Sequence, residues 1–279
     1  MKKLCLFLFS VFAILSCSND TAEQNPDNTD LLQRVDFHPG LTIERRWNFN
    51  TDGLLSNITK ADGTVVQNFT YDANNRLISS TIFNDVGANQ TYTFTYDNTN
   101  FVTSVNGQVL TYDAGLDAYY TGDLTQNYRL TKINSEKLIT YGKTAFIDYD
   151  DNGNAYEVVW DEVSVNYSSN NNILGFSPNN SCNSFTYDNT TNPLRSATLA
   201  ICRAFSFVES APWINGHYNS INNPLSHDYC SEDPESEVFN YTYNANQLPL
   251  TLTRDNYYLG VYENTTTFAK FYYQGDILP

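Results

Sequence analysis

The feature that most constrains the fold of this chain is a short segment that recurs along it. Residues 69–72 read Phe-Thr-Tyr-Asp, a polar turn follows, and Leu77 begins a new apolar segment. Phe69 and Tyr71 are two residues apart, so in a β-strand their side chains lie on one face. Asp72 and the asparagines after it favour a turn, because their side chains bond nearby backbone groups and tolerate left-handed conformations. The segment is therefore predicted to be a β-hairpin.

Copies of this pattern continue to the end of the chain. Close copies read Phe-Thr-Tyr-Asp at 94–97 and at 185–188, and looser copies occur at residues 47–50, 110–113, 147–150, 165–168, 241–244 and 271–275. Repeats of this kind, mostly about 16 to 37 residues apart, are typical of arrays whose units cannot bury their apolar face alone. The sequence therefore predicts many similar hairpins that pack on one another.

Consecutive hairpins predict an all-β fold. From about residue 40 the chain reads as roughly 16 to 18 short strands separated by turn residues, which makes a long antiparallel up-and-down meander. So long a sheet must curl, split or close, and closure removes the exposed edges that promote aggregation. We expect a wide soluble barrel. A transmembrane barrel is the alternative, but the residues that alternate with the aromatics are Thr, Asn, Ser and Gln, which lipid would not tolerate.

The N-terminus has the pattern of a lipoprotein leader. Two lysines precede an apolar segment at residues 4–15 that is too short to span a bilayer. Ile-Leu-Ser-Cys at residues 14–17 resembles a bacterial lipobox. We therefore predict that residues 1–16 are a signal peptide and that Cys17 carries the lipid that anchors the chain to a membrane. The alternative is an ordinary secretory signal that contains a cysteine.

The remainder divides into a tether and one domain. Residues 17–37 are rich in Asn, Asp, Thr and Gln, which predicts a disordered tether. Residues 38–279 are predicted to be the barrel, with an insertion at 193–237 in which residues 196–208 fit a short helix or an apolar plug. The formal net charge of −16 argues against nucleic acid as a partner and against attraction to anionic lipid. We expect an outer-membrane lipoprotein that faces the periplasm or the cell surface.

The repeat resembles a known motif. It is similar to the YD repeat of Rhs-type proteins, whose fuller form continues with Gly-Arg-Leu, of which Arg76 and Leu77 are retained. With the leader, the chain resembles more closely the YD-repeat surface lipoproteins of Bacteroidetes-type bacteria, a family of unknown function. Asn-Pro-Leu at 192–194 and Asn-Asn-Pro at 222–224 fit that family. The resemblance implies a porin-like β fold and structural rather than catalytic motifs.

An enzyme would have to use residues of the insertion, where His217, His227, Asp228 and Cys230 lie close in sequence. A Cys–His pair can generate a thiolate nucleophile, but this spacing matches no nucleophile, metal or phosphate-loop motif. Residues 148–154 have the spacing of half a calcium loop without its final glutamate, so an ordinary turn is favoured. We therefore expect no catalytic residue, no cofactor and no metal site.

The cysteine count suggests a disulfide. Besides Cys17, the processed chain would contain Cys182, Cys202 and Cys230. One disulfide and one thiol is the simplest arrangement, and the sequence leaves the pairing open. Cys202–Cys230 is a candidate that would close the insertion, and Cys182–Cys202 would instead link its start to the preceding strand.

The aromatic residues divide into repeat and non-repeat positions. Among the 21 tyrosines and 17 phenylalanines, those at repeat positions are expected to have a core role. Those outside the repeat are candidates for a ligand-stacking surface: Tyr119, Tyr120, Trp160, Trp213, Tyr257 and Tyr258. Aromatics beside amides and carboxylates commonly bind sugars, so the predicted function is a non-catalytic module that binds a glycan or another small ligand. The alternative is a structural scaffold of the envelope without a small-molecule ligand.

Overall fold

The structure is a computed structural model that describes residues 30–149, 155–178, 182–208, 217, 220–230 and 235–279. These residues form nineteen β-strands and one α-helix, α1 (Pro193–Phe205). The strands are β1 (Leu32–Phe37), β2 (Arg45–Phe49), β3 (Leu55–Lys60), β4 (Val65–Tyr71), β5 (Leu77–Ile82), β6 (Gln90–Tyr96), β7 (Val102–Val105), β8 (Gln108–Val109), β9 (Thr111–Asp113), β10 (Ala118–Gly122), β11 (Asn127–Ile133), β12 (Ile139–Tyr149), β13 (Ala155–Tyr167), β14 (Ile173–Pro178), β15 (Cys182–Thr191), β16 (Asn222–Cys230), β17 (Glu235–Tyr243), β18 (Pro249–Tyr258) and β19 (Val261–Tyr273).

The strands form one nearly closed antiparallel meander. Each strand pairs with its neighbours in sequence, except that β8 and β9 are consecutive pieces that pair with β7 and β10 respectively. The first and last strands, β1 and β19, also pair with each other, which closes the barrel. The predicted all-β, up-and-down barrel is therefore confirmed. Several strands are longer than expected, up to 13 residues in β13 and β19.

The closing strand β1 lies inside the segment that the sequence assigns to the tether, residues 17–37. Its residues Leu32, Val35 and Phe37 are buried, and its ladder to β19 runs from Leu32 to Phe37. The tether boundary is therefore wrong. Burial of these three apolar side chains and pairing of the two edge strands outweigh the polar composition of the segment.

The repeated motif builds the turns at one end of the barrel, which we call the turn end. In the hairpin β4–β5 the Asp72 carboxylate accepts hydrogen bonds from the amides of Asn74 (2.9 Å) and Arg76 (3.0 Å). Asn75 takes the left-handed conformation between them, with φ 59°. The same turn role is played by Asn50, Asp97, Asp113, Asn134, Ser168 and Asn244.

A second repeated contact joins each hairpin to its neighbour. Tyr71 Oη donates to the carbonyl of Leu55, 2.7 Å away, and Tyr96 Oη donates in the same way to Leu77. Burial raises the pKa of both hydroxyls, so they remain donors. Equivalent bonds run from Tyr167 to Ile139, from Tyr187 to Ile173 and from Tyr273 to Pro249.

The helix α1 fills the interior of the barrel at the turn end. It starts where Asn192 Oδ1 accepts from the Leu194 amide, and Pro193 follows at the first helical position. Its buried side chains join one core with inward-facing residues of β1–β7 and β17–β19. Phe205, for example, contacts Phe94 with ring centroids 5.5 Å apart. The insertion therefore supplies the predicted helix, which packs within the barrel.

Polar contacts fix the helix to the turn between β11 and β12. Arg195 forms an ion pair with Glu136, and Arg203 Nε donates to the Glu136 carbonyl at 2.8 Å. Ser206 Oγ accepts from the Ile139 amide at 3.1 Å. The helix is thus held by a charged pair as well as by apolar burial. In the described part of the chain, no helix is long and apolar enough to cross a membrane.

Candidate functional site

The described surface is concave at the end of the barrel opposite the turn end, which we call the far end. One cavity of about 440 Å³ lies there between the strands β6–β8 and β10–β12 and is called the β6–β12 cavity. Phe207 and Val208, which follow α1, form part of its wall. Tyr92 contributes an aromatic face, and the amide side chains are Gln90, Asn106, Gln108 and Asn127. An aromatic ring beside amides is suited to a polar organic ligand.

A buried cation lines the same cavity. Arg129 is buried in β11, and its Nη1 donates to Thr144 Oγ1 at 3.0 Å. The carboxylate of Asp161 lies 3.8 Å from Nη1, so the charge is compensated across the ladder. A Cβ at Gly142 would lie 2.7 Å from Ile139 Cδ1 and 3.0 Å from Arg129 Nη2, so a larger residue there would crowd both side chains. The wall therefore combines fixed charge, hydroxyl and aromatic surface.

A second cavity of about 450 Å³ lies among β16–β19 and is called the β16–β19 cavity. At its base Glu237 accepts from Arg254 Nη1 at 2.7 Å and lies 3.3 Å from His227 Nδ1. Burial of Glu237 raises the pKa of its carboxyl, but the hydrogen bond to His227 and the charge of Arg254 outweigh burial, so the net pKa is lowered. Tyr229 Oη also donates to it at 3.5 Å, so Glu237 is a buried carboxylate with three partners.

The histidines of the insertion pack against aromatic rings. The His227 ring stacks on Phe185 with centroids 4.3 Å apart, and its Nε2 lies 2.9 Å from Asn183 Oδ1. His217 is buried against Phe239 at 4.6 Å, and burial lowers its pKa to about 3, so it is neutral at physiological pH. Among the residues that the structure describes, no three His, Cys, Asp or Glu side chains are grouped to hold a metal ion.

The structure separates the predicted aromatic residues. Tyr119 faces inward and contacts Phe101 at 4.7 Å, at a third cavity near the turn end. Tyr120 is its half-buried neighbour in the strand. Tyr257 and Tyr258 line the β16–β19 cavity. The two tyrosine pairs thus lie on different strands, β10 and β18, and border different cavities, so the stacking surface stays a prediction. The Trp160 side chain and all of Trp213 lie outside the described residues.

The cysteine prediction is also corrected. Cys202 is a thiol buried in α1, with Sγ 3.9 Å from Thr198 Oγ1, so the proposed Cys202–Cys230 disulfide is not formed. The helix directs this thiol into the core, whereas the β15–β16 ladder places Cys230 opposite Cys182. Cys17 lies outside the described residues, so its acylation stays a prediction.

Sequence reasoning missed the residues that line the β6–β12 cavity. Tyr92 lies in a repeat strand, where a core role was expected, yet it faces both Phe205 and the cavity. Arg129 was not singled out either. The sequence does contain a signal for it, because Arg129 is a cation in a strand, β11, in which the adjacent residues Tyr128 and Leu130 are apolar.

A known protein family matches the part of the chain that contains the repeat. The RHS repeat family matches residues 49–84, which span the hairpins from the end of β2 to β5. This confirms the YD-repeat resemblance over that segment. No curated protein matches the chain in sequence.

Three solved structures have a similar course of strands. A porin-like protein from Bacteroides uniformis is 9% identical, with 88% of this chain and 98% of that chain covered and a TM-score of 0.36. A porin-like protein from Bacteroides vulgatus is 10% identical, with 71% and 97% covered and a TM-score of 0.26. The Photorhabdus luminescens Tc holotoxin pore is 11% identical over 80% of this chain and 9% of that chain, with a TM-score of 0.30. Similarity at this level supports no functional inference.

Proposed function

We propose that this chain is a non-catalytic binding protein of the bacterial cell envelope. In this proposal a lipid on Cys17 holds it at the outer membrane, and a glycan or another small polar ligand occupies the β6–β12 cavity. The observation that carries the proposal is the combination of Tyr92, the amides of Gln90 and Gln108, and the buried Arg129 around one space of about 440 Å³. Ligand pockets typically have a volume of roughly 300 to 1,000 Å³ and a few convergent polar groups.

The position of the tether supports this arrangement. The first described residue, Asp30, accepts from Asn246 Nδ2 at 3.0 Å, and Asn246 belongs to a turn at the turn end. A lipid-linked tether would therefore join the barrel at the turn end. The cavity lies at the far end, where a ligand can approach away from the point of attachment.

The absence of a catalytic role is part of the proposal. Both ring nitrogens of His227 are within hydrogen-bond distance of acceptors, Glu237 and Asn183. His217 is enclosed by Phe239 and Phe268. A general base must reach the proton that it abstracts, and these contacts favour a structural role for both rings.

The test is a binding screen against glycans and small polar metabolites, with a variant that blocks the cavity. Gln108 is exposed at the cavity wall, so Gln108→Trp should fill the space without disturbing the core. We expect a ligand found with the wild type to lose at least tenfold in affinity. The matched control is Tyr258→Trp in the β16–β19 cavity, which should bind normally. Equal loss in both variants, or unchanged binding in Gln108→Trp, contradicts the assignment.

The scaffold alternative is favoured by a different observation. The interior of the barrel at the turn end is packed with α1 and the core that surrounds it, as expected of a structural element. Two results together would support the scaffold: the screen finds no ligand, and a deletion strain has envelope defects that expression of the Gln108→Trp variant corrects.

A further inference from the structure

In the ladder between β15 and β16, two cysteines are direct partners on adjacent strands. The ladder pairs Cys182 with Cys230 and continues through Phe185 and His227 without a bulge. Both cysteines lie in strands whose backbone the structure describes.

The register of this ladder is fixed by side chains further along it. The Phe185 and His227 rings, which are direct partners, stack with an interplanar angle of 11°. Thr186 Oγ1 and Ser226 Oγ, the next pair, are 2.7 Å apart. A slip by one residue would move these side chains to opposite faces of the sheet and break both contacts.

Direct partners in an antiparallel ladder have Cα atoms about 4.5 to 5.5 Å apart. A disulfide connects Cα atoms about 4.4 to 6.8 Å apart, so both kinds of antiparallel pair are within its reach. We propose that Cys182 and Cys230 form a disulfide between β15 and β16. This pairing differs from both arrangements that the sequence suggested.

The third cysteine fits the role of the remaining thiol. Cys202 is enclosed in the core on α1, and burial raises the pKa of its thiol to about 12. The thiolate is the species that attacks a disulfide, so this group is unreactive while the chain is folded. An odd number of cysteines is thus explained by one cross-strand bond and one core residue.

The bond forms by thiol–disulfide exchange. A disulfide oxidant of the exported compartment is attacked by one cysteine thiolate to give a mixed disulfide, which the second thiolate then resolves. The two cysteines lose two electrons and two protons, and the oxidant is reduced to two thiols. This step requires the export that the leader predicts, but it does not depend on a ligand.

The location gives the bond a structural purpose. At the turn end, β15 and β16 are connected through residues 192–221, which include α1. At the far end no turn joins these two strands, since β15 is preceded by β14 and β16 is followed by β17. A bond at Cys182–Cys230 would hold the far ends of the two strands together where the meander is interrupted by the insertion.

The experiment is peptide mapping of the full chain, exported in a bacterium and alkylated in denaturant without reductant. We expect a peptide pair linked through Cys182 and Cys230, with alkylated Cys202. A link that contains Cys202, or alkylation of all three cysteines, overturns the proposal. Because the wild type is mapped, the result does not depend on whether variants fold.

Urea unfolding provides a second readout. Reductant should lower the midpoint of the wild type and of Cys202→Ala, and it should leave Cys182→Ser and Cys230→Ser unchanged. A reductant-dependent shift that persists in Cys182→Ser would contradict the assignment.

Discussion

The turn end and the far end of this barrel use the same strands in different ways. At the turn end, inward positions such as Leu55, Leu77 and Val102 are buried and pack with α1 in one core. At the far end the inward positions of the same sheet include Arg129 and Glu237, and they border cavities. The repeat therefore accounts for the packed core at the turn end, whereas residues outside the repeat line the cavities at the far end.

The physical reason lies in where the repeat sits. Most copies flank the turn of a hairpin at the turn end, so these copies meet once the meander forms, whereas the looser copy at 147–150 ends β12 at the far end. The tyrosine hydroxyl of one copy reaches the backbone carbonyl of the preceding hairpin, as between Tyr96 and Leu77. Stability is therefore supplied by repeated contacts between neighbouring hairpins.

The largest expected effect concerns the aromatic and acidic residues of one repeat. Tyr71→Ala removes a packed ring and its hydrogen bond, which should lower the free energy of unfolding by about 3 to 5 kcal/mol. Asp72→Ala removes turn hydrogen bonds at a more exposed position and should cost about 1 kcal/mol. Urea unfolding of both variants measures the difference. The reverse order would show that the turn, and not the ring, stabilises this end.

The next prediction concerns pH. Burial lowers the pKa of His217 to about 3 from its ordinary 6.5. Between these values the unfolded chain binds a proton that the folded chain does not, so stability falls as the pH is lowered from 6.5 towards 3, by at most about 1.4 kcal/mol per pH unit. His217→Phe, which keeps a ring against Phe239 and Phe268, should weaken this acid sensitivity. An unchanged dependence of the urea midpoint on pH would contradict the prediction.

A smaller effect isolates the hydroxyl that links neighbouring hairpins. Tyr96→Phe keeps the ring but removes the bond to the Leu77 carbonyl, 2.7 Å away. Its loss should cost about 1 kcal/mol, the usual net value of one hydrogen bond. The matched control is Tyr156→Phe, whose hydroxyl donates to Asp148 at an exposed position and should have almost no effect. An equal loss of unfolding free energy in the two variants would contradict a stabilising role for the tyrosine hydroxyls at the turn end.

The sequence predicted the turn end better than the far end. The turn role of Asp72 follows from local residues alone, since the backbone amides that donate to its carboxylate lie within four positions. β1 was missed because Arg34 and Asp36 make it look polar, although the two side chains pair with each other at 2.8 Å. The β6–β12 cavity could not be predicted, because Tyr92 and Arg129 are brought to one space by the curvature of the closed sheet and by the position of α1.

The smallest expected effect tests the far end with the residue type that matters most at the turn end. Tyr258 is 38% exposed and lines the β16–β19 cavity. Tyr258→Ala should change the free energy of unfolding by less than about 0.5 kcal/mol, because Tyr258 lies at the surface outside the core, where substitutions usually have effects of this size. The same substitution at Tyr71 is expected to cost several times more, so the two variants measured side by side in urea compare the two ends directly. A cost at Tyr258 approaching that at Tyr71 would mean that the far end is packed as tightly as the turn end, and the cavities would then be part of the core rather than a surface free to bind.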